Sequence, residues 1–257
     1  MENKTYKLNA VICGSEDKND ELIKQFNNIG INIILLKTIN IVPIEIEDLS
    51  LFDKTFDYTI FTSKNSVISL FNLLESKKLK LNSKKVVCIG KKTKEVCNNY
   101  GDFNIDVPSQ NSSSGVFAYF LNKFLIDKEI LIPGSKISNQ WYIERLKQNG
   151  ANVHFIPVYD NVATKKEELE EVFNKITDSI INLFVFTSPS AFNNLIEIEN
   201  LTDVVKYFNG KKIAAIGDVT KKSLEDRGLK VDIVPENFNF NDLLISINRY
   251  YNSKEKN

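Results

Sequence analysis

Two seven-residue phrases carry the hydroxyls best placed to do chemistry: Phe61-Thr62-Ser63-Lys64-Asn65-Ser66-Val67 and Phe186-Thr187-Ser188-Pro189-Ser190-Ala191-Phe192. Each closes an apolar run, Tyr58-Thr59-Ile60-Phe61 or Leu183-Phe184-Val185-Phe186, and opens a helical pattern. The pattern predicts a buried strand, a tight turn and a helix beginning at the Thr-Ser pair. Ser is a preferred N-cap because its oxygen accepts from an otherwise unpaired N–H of the first turn. Pro189 suits the first helical position, where no N–H is needed. A strand running into a helix N-terminus leaves free N–H groups and a positive dipole end at the sheet's carboxyl edge, where open α/β sheets bind anions. For a single copy, a plain cap is the simpler account of Ser63 or Ser188; two copies in matching settings point to a paired site. Thr93 and Thr220 form a second pair, each three residues after a strand-closing glycine (Gly90, Gly217). Capping and ligand contact are equally open for them.

The elements around these turns occur twice. Leu8-Asn9-Ala10-Val11-Ile12 reads as a strand ending at Cys13-Gly14-Ser15, and Glu129-Ile130-Leu131-Ile132 restates it through Pro133-Gly134-Ser135. Helical spacing over residues 21–26 stops at Gly30, a residue type favoured just past a helix end, as residues 142–148 stop at Gly150. Lys85-Val86-Val87-Cys88-Ile89-Gly90 answers Lys212-Ile213-Ala214-Ala215-Ile216-Gly217, and Val107-Pro108 answers Val234-Pro235. The copies stand 120 residues apart at Gly30/Gly150, 125 at Ser63/Ser188 and 127 at Thr93/Thr220, a drift that loop insertions explain. A period this long exceeds the ~20–50 residues of solenoid units, so the chain is read as two similar lobes. Strands alternating with helices predict a parallel α/β sheet in each. A helix is also predicted over residues 116–125, and a frayed tail after Asn252.

At 257 residues, 42% hydrophobic and 26% charged, the chain can bury two ordinary cores. Lys+Arg and Asp+Glu both number 33, and the zero formal charge argues against a nucleic-acid footprint or a polybasic membrane surface. No apolar run approaches the ~18 residues of a spanning helix. Met1-Glu2-Asn3-Lys4 lacks a signal peptide's core and a transit peptide's arginines. The expected compartment is the cytoplasm, or an organelle if a targeting segment was trimmed. Cys13, Cys88 and Cys97 show no Cys-x-x-Cys spacing and His154 is the sole histidine, so no metal site is expected. His154 alternates with Ile156 and Val158, as a packed or surface imidazole on a strand would. Glu167-Glu168-Leu169-Glu170-Glu171 reads as a solvated helix face. Phosphate-binding loops, dinucleotide fingerprints and Gly-x-Ser-x-Gly elbows are missing, which disfavours nucleotide enzymes and serine hydrolases. What remains is a two-lobed protein with Ser63, Thr93, Ser188 and Thr220 at strand-to-helix turns. If those edges face a shared cleft, its hydroxyls and N–H groups suit a large polyanion.

The paired Phe-Thr-Ser turns, the two Ile-Gly-x-x-Thr units, Pro157-Val158-Tyr159 and the run from Ala214 through Gly228 to Pro235 resemble uroporphyrinogen-III synthases over nearly the whole chain. The resemblance implies an α/β fold of two similar flavodoxin-like lobes with parallel sheets, interleaved in sequence and joined by two extended crossovers. Residues 1–37 and 162–257 would form lobe 1, and residues 38–161 lobe 2. It implies closure of linear hydroxymethylbilane to uroporphyrinogen III, with inversion of the D ring and loss of water, without a metal or organic cofactor. Carried over by position, Tyr159 corresponds to the tyrosine that assists departure of the hydroxyl, and Ser63, Thr93 and Thr220 to cleft residues, with Ser188 the duplicate of Ser63. A crossover tyrosine packing one lobe on the other is the bland account of Tyr159. Many members carry Arg at the end of the first strand of each unit; here these ends read Ile12-Cys13-Gly14-Ser15 and Ile132-Pro133-Gly134-Ser135-Lys136. Lys136, Lys64 and backbone N–H groups are the substitutes for meeting substrate carboxylates. The implied partner is hydroxymethylbilane, with hand-over from the preceding deaminase left open, and the chain is expected to be monomeric. The competing reading is a non-catalytic bilobed small-molecule sensor or binding protein. The two differ in whether purified protein yields type III product from hydroxymethylbilane.

Overall fold

The computed structural model describes residues 8–15, 20–110, 112–137 and 141–254. The N-terminal tetrapeptide and the last three residues read above lie outside them. In chain order the elements are β1 (Leu8–Gly14), α1 (Asp20–Asn28), β2 (Ile31–Lys37), β3 (Ile39–Pro43), β4 (Phe56–Phe61), α2 (Lys64–Ser76) and β5 (Ser83–Cys88). There follow α3 (Lys91–Asn98), β6 (Ile105–Asp106), α4 (Ser113–Phe120), β7 (Glu129–Ser135), α5 (Trp141–Gln148) and β8 (Asn152–Ala163). The chain closes with α6 (Glu170–Thr177), β9 (Leu183–Phe186), α7 (Pro189–Ile198), α8 (Val204–Tyr207), β10 (Lys212–Ala215), α9 (Asp218–Glu225) and α10 (Phe240–Lys254).

These elements form two compact units, Met1–Asn40 with Val162–Asn257, and Ile41–Asn161. The first holds a four-stranded sheet in the order β10-β9-β1-β2, parallel throughout. The second holds a six-stranded sheet in the order β3-β8-β7-β4-β5-β6, parallel from β8 to β6. Its central run β5-β4-β7-β8 repeats β10-β9-β1-β2 strand for strand, as the duplicated sequence requires. The match extends to an edge: Ile105 pairs with Val86 in β6, whereas the equivalent Ile233 makes a single parallel bridge to Ala214. Strands covered on both faces read as continuous apolar runs rather than alternating ones. Leu183, Phe184, Val185 and Phe186 are accordingly all buried. The first unit packs Ala10, Ile12, Phe26, Leu183, Val185, Leu243 and Ile247 together, while the buried Phe184, Phe186, Phe192 and Phe208 rings meet one another apart from that cluster. The second has cores on the two sides of its sheet, one around Phe56, Phe61 and Leu70, the other around Ile60, Ile130, Ile132 and Leu146.

Thr38 anchors the chain where β2 passes into β3. Its hydroxyl donates to the Ala191 carbonyl at 3.1 Å. Its own carbonyl accepts from Asn194 Nδ2 at 2.8 Å and from the Thr164 N–H at 3.2 Å.

Two expectations need correction. The helix expected over residues 116–125 ends at Phe120. Leu121 and Phe124, which the expected helix would include, are exposed, while Leu125 is buried where the chain bends toward β7 through Asp127 at φ 59°. The expected tail after Asn252 is helical as far as Lys254, because Tyr250 and Tyr251 pack against the first unit's core. The acidic run spans a 3-10 turn and the start of α6, with Leu169 buried and its four glutamates exposed. His154 is part-buried and meets the Glu129 carboxylate at 2.6 Å. The three cysteines are free and buried. Among the described residues, no helix is long and apolar enough to cross a membrane.

Candidate functional site

In the six-stranded sheet the parallel strands β8, β7, β4 and β5 end side by side, so the residues leaving them share one carboxyl edge. Tyr159 lies on β8 opposite Ser135, the last residue of β7, Lys136 follows β7, Ser63 and Lys64 follow β4, and Thr93 lies in the first turn of α3 after β5. Neighbouring exits are tied together, since the Ile89 N–H donates to the Phe61 carbonyl at 2.8 Å and the Lys136 N–H to the Tyr159 carbonyl at 2.9 Å.

Ser63 is the N-cap of α2. Its Oγ accepts from the Ser66 N–H at 3.1 Å, and Ser66 Oγ accepts in return from the Ser63 N–H at 3.4 Å, completing a capping box, while the Ser66 hydroxyl donates to the Ser63 carbonyl at 2.7 Å. The same Oγ stands 3.2 Å from the Tyr159 hydroxyl. With a Ser63 lone pair already engaged by Ser66, its proton can go to Tyr159 Oη, which leaves the phenol's own proton free for a ligand. Tyr159 is 6% exposed. Burial pushes its pKa up, opposed by the bond from Ser63. The phenol is therefore a neutral donor across the physiological range.

Tyr142, at the start of α5, is a neighbour that sequence reasoning missed. It is buried, and its phenol is held in the protonated form first by burial and then by the proximity of Tyr159. Ser135, Asp160 and Asn161 were also overlooked. A register shift after Gly134 sets Ser135 opposite Tyr159. The buried Ser135 Oγ accepts from Asn161 Nδ2 at 3.2 Å, and Asp160 lies 3.9 Å from the exposed Lys136 ammonium. Strand-end serines and carboxylates carry no spacing signal, and only the β7–β8 register brings these groups together.

Thr93 and Thr220 are not caps. Gly90 and Gly217 occupy the cap positions of α3 and α9, and the two threonines are buried in the first turns. In the first unit Ser188 caps α7, accepting from the Ala191 N–H at 3.0 Å, with Pro189 at the first helical position. The adjacent Thr187 hydroxyl donates to the Cys13 carbonyl at 3.1 Å and lies so close to Gly14 that a Cβ there has no room. That contact explains why this strand end bears no long side chain. Among the proposed residues, Ser63 and Tyr159 are thus in direct contact, Lys64, Thr93 and Lys136 share their edge, and Ser188 and Thr220 hold the equivalent positions of the other unit.

The caps give a direct check. Ser63→Ala and Ser188→Ala should each cost about 1 kcal/mol of stability in denaturant titrations, the usual worth of an N-cap. Only Ser63→Ala should also lower kcat, since only that hydroxyl touches a phenol; the loss of Ser188 should show in KM. Equal, unaltered turnover in both variants would remove the Ser63–Tyr159 contact from the site.

A comparison with known proteins completes the description. The family described as uroporphyrinogen-III synthase HemD matches residues 20–245. Uroporphyrinogen-III synthase of Chlorobaculum parvum is 28% identical over 226 residues, spanning 84% of this chain and 88% of that protein. Among solved structures, a mutant uroporphyrinogen III synthase from the extremely thermophilic bacterium Thermus thermophilus shares the fold with a TM-score of 0.61 at 14% identity, over 97% of this chain and all of that one. The Helicobacter pylori enzyme does so with a TM-score of 0.61 at 16% identity, over 93% of this chain and 97% of that one. With the match running through both α/β units, the chain belongs to the uroporphyrinogen-III synthase family.

Proposed function

We propose that this protein is a lyase that closes hydroxymethylbilane to uroporphyrinogen III with loss of water and without a cofactor. The observation that carries the mechanism is the buried Tyr159 phenol, 3.2 Å from Ser63 at the sheet's carboxyl edge. Tyr159 donates a hydrogen bond to the terminal hydroxyl of the bilane. As that C–O bond breaks, the oxygen leaves as water with a proton delivered along the same bond, and an azafulvenium-like cation remains. Attack on this cation gives the spiro intermediate, which reopens and recloses with the D ring inverted. The phenolate left on Tyr159 recovers its proton when the product regains aromaticity. Ser63 steadies the phenol oxygen in both forms.

The substrate's carboxylates are met by Lys64, Lys136 and helix N-termini, each exposed dipole contact contributing roughly 0.3–1 kcal/mol. Thr93, and Ser188 and Thr220 in the other unit, are the further contacts. Most of the rate enhancement comes from holding the two ends of the bilane together, because good orientation can lower a barrier by ~7–11 kcal/mol. The test is to give purified protein fresh hydroxymethylbilane and resolve the oxidised porphyrins by isomer. Type III product well above the spontaneous type I background is expected. Type I alone would favour a binding protein without catalysis.

A further inference from the structure

The loop leading into α10 displays an aromatic ring that packing does not require. Phe238 is 62% exposed, although its neighbours on both sides are pinned. Asn239 Oδ1 accepts from the Asp242 N–H at 3.0 Å, its carbonyl accepts from the Leu243 N–H at 3.0 Å, and the Asn237 amide donates to the Asp242 carboxylate. The Phe238 ring rests on Gly217: a Cβ added there would stand 2.9 Å from the ring's Cγ and 3.0 Å from Cδ1. Gly217 is extended, at φ −176°, so its backbone would admit any residue and it is the ring that demands glycine. The parallel bridge between Ile233 and Ala214 carries this loop to the carboxyl edge of the four-stranded sheet. The same edge bears Ser188, Thr220 and Val219, which is 76% exposed. Two large apolar side chains are therefore held in solvent beside polar candidate ligands.

Given the synthase activity proposed above, we propose that Phe238 positions the substrate by stacking its open face on a pyrrole ring of the bilane. Pyrroles are flat, and aromatic pairs gain from offset or edge-to-face contact beyond simple burial. The hydroxyls and N–H groups at this edge serve carboxylates but offer the rings themselves no surface.

Three variants test this in the intact protein, with KM and kcat for type III product as readouts. Phe238→Ala is expected to raise KM by roughly 3- to 10-fold with kcat little changed, the size of one aromatic contact. Phe238→Trp should restore KM. Gly217→Ala should raise KM as Phe238→Ala does, because its methyl dislodges the ring while leaving it in the chain. Wild-type KM in Phe238→Ala and Gly217→Ala, alongside an active parent, overturns the role of Phe238, as does a fall in kcat at constant KM. A parent that makes only type I product overturns the synthase assignment and Phe238's role with it. Should Phe238→Ala fail to fold by circular dichroism, the Gly217→Ala and Phe238→Trp pair decides.

Discussion

Tyr159→Phe is expected to lower kcat for type III product by roughly 10²-fold or more, the usual contribution of a positioned acid–base group. The substitution removes one oxygen from a side chain that is 6% exposed and keeps its ring in the core beside Phe61 and Val158. The stability cost should be only about 1 kcal/mol, from the lost bond to Ser63. Activity and melting temperature measured together separate the two effects. A variant that turns over like the parent would remove Tyr159 from the mechanism. The pH profile supplies a second check. The phenol must be protonated to assist departure, and burial raises its pKa. The loss of activity with rising pH should therefore set in above the ordinary phenol value of ~10 rather than below it. Loss of activity between pH 8 and 9, with the fold intact, would assign the limiting group elsewhere.

Phe186→Ala should give the largest stability loss, about 3–5 kcal/mol, in the range for aromatic truncations in a core. Phe186 is fully buried on β9, which lies between β1 and β10. Its ring meets Phe192 at 5.2 Å and Phe208 at 5.8 Å between centroids, so the cavity would open among rings too large to collapse around it. Against a typical total of about 5–15 kcal/mol, that loss brings the first unit near its unfolding threshold. Because Phe186 immediately precedes Thr187 and Ser188, the strand exit should loosen with it. The denaturant midpoint gives the number, and a cost under about 1 kcal/mol would show that the Phe186, Phe192 and Phe208 rings do not hold this unit together.

The duplication, the parallel α/β class and the serine caps were legible from residue order because they depend on local chemistry. An apolar run followed by Thr-Ser stops a strand and starts a helix wherever it falls in a chain. The same local logic failed at residues 121–125, where the expected helix does not continue past Phe120, and at Asn252, where aromatic packing extends the last helix. It also left Thr93 and Thr220 undecided between capping and ligand contact, until Gly90 and Gly217 were found at the cap positions.

Alone, the sequence determined that hydroxyls would stand at matching strand exits in two α/β units, since hydrogen-bond capping and hydrophobic periodicity act over a few residues. Tertiary structure alone decided which of them meet. The Tyr159–Ser63 contact joins residues 96 apart in the chain and depends on strand order and register. The Phe238 ring over Gly217 likewise depends on one bridge at a sheet edge. Contacts of this kind follow from the burial of whole strands against one another, a property that no local stretch of residues carries.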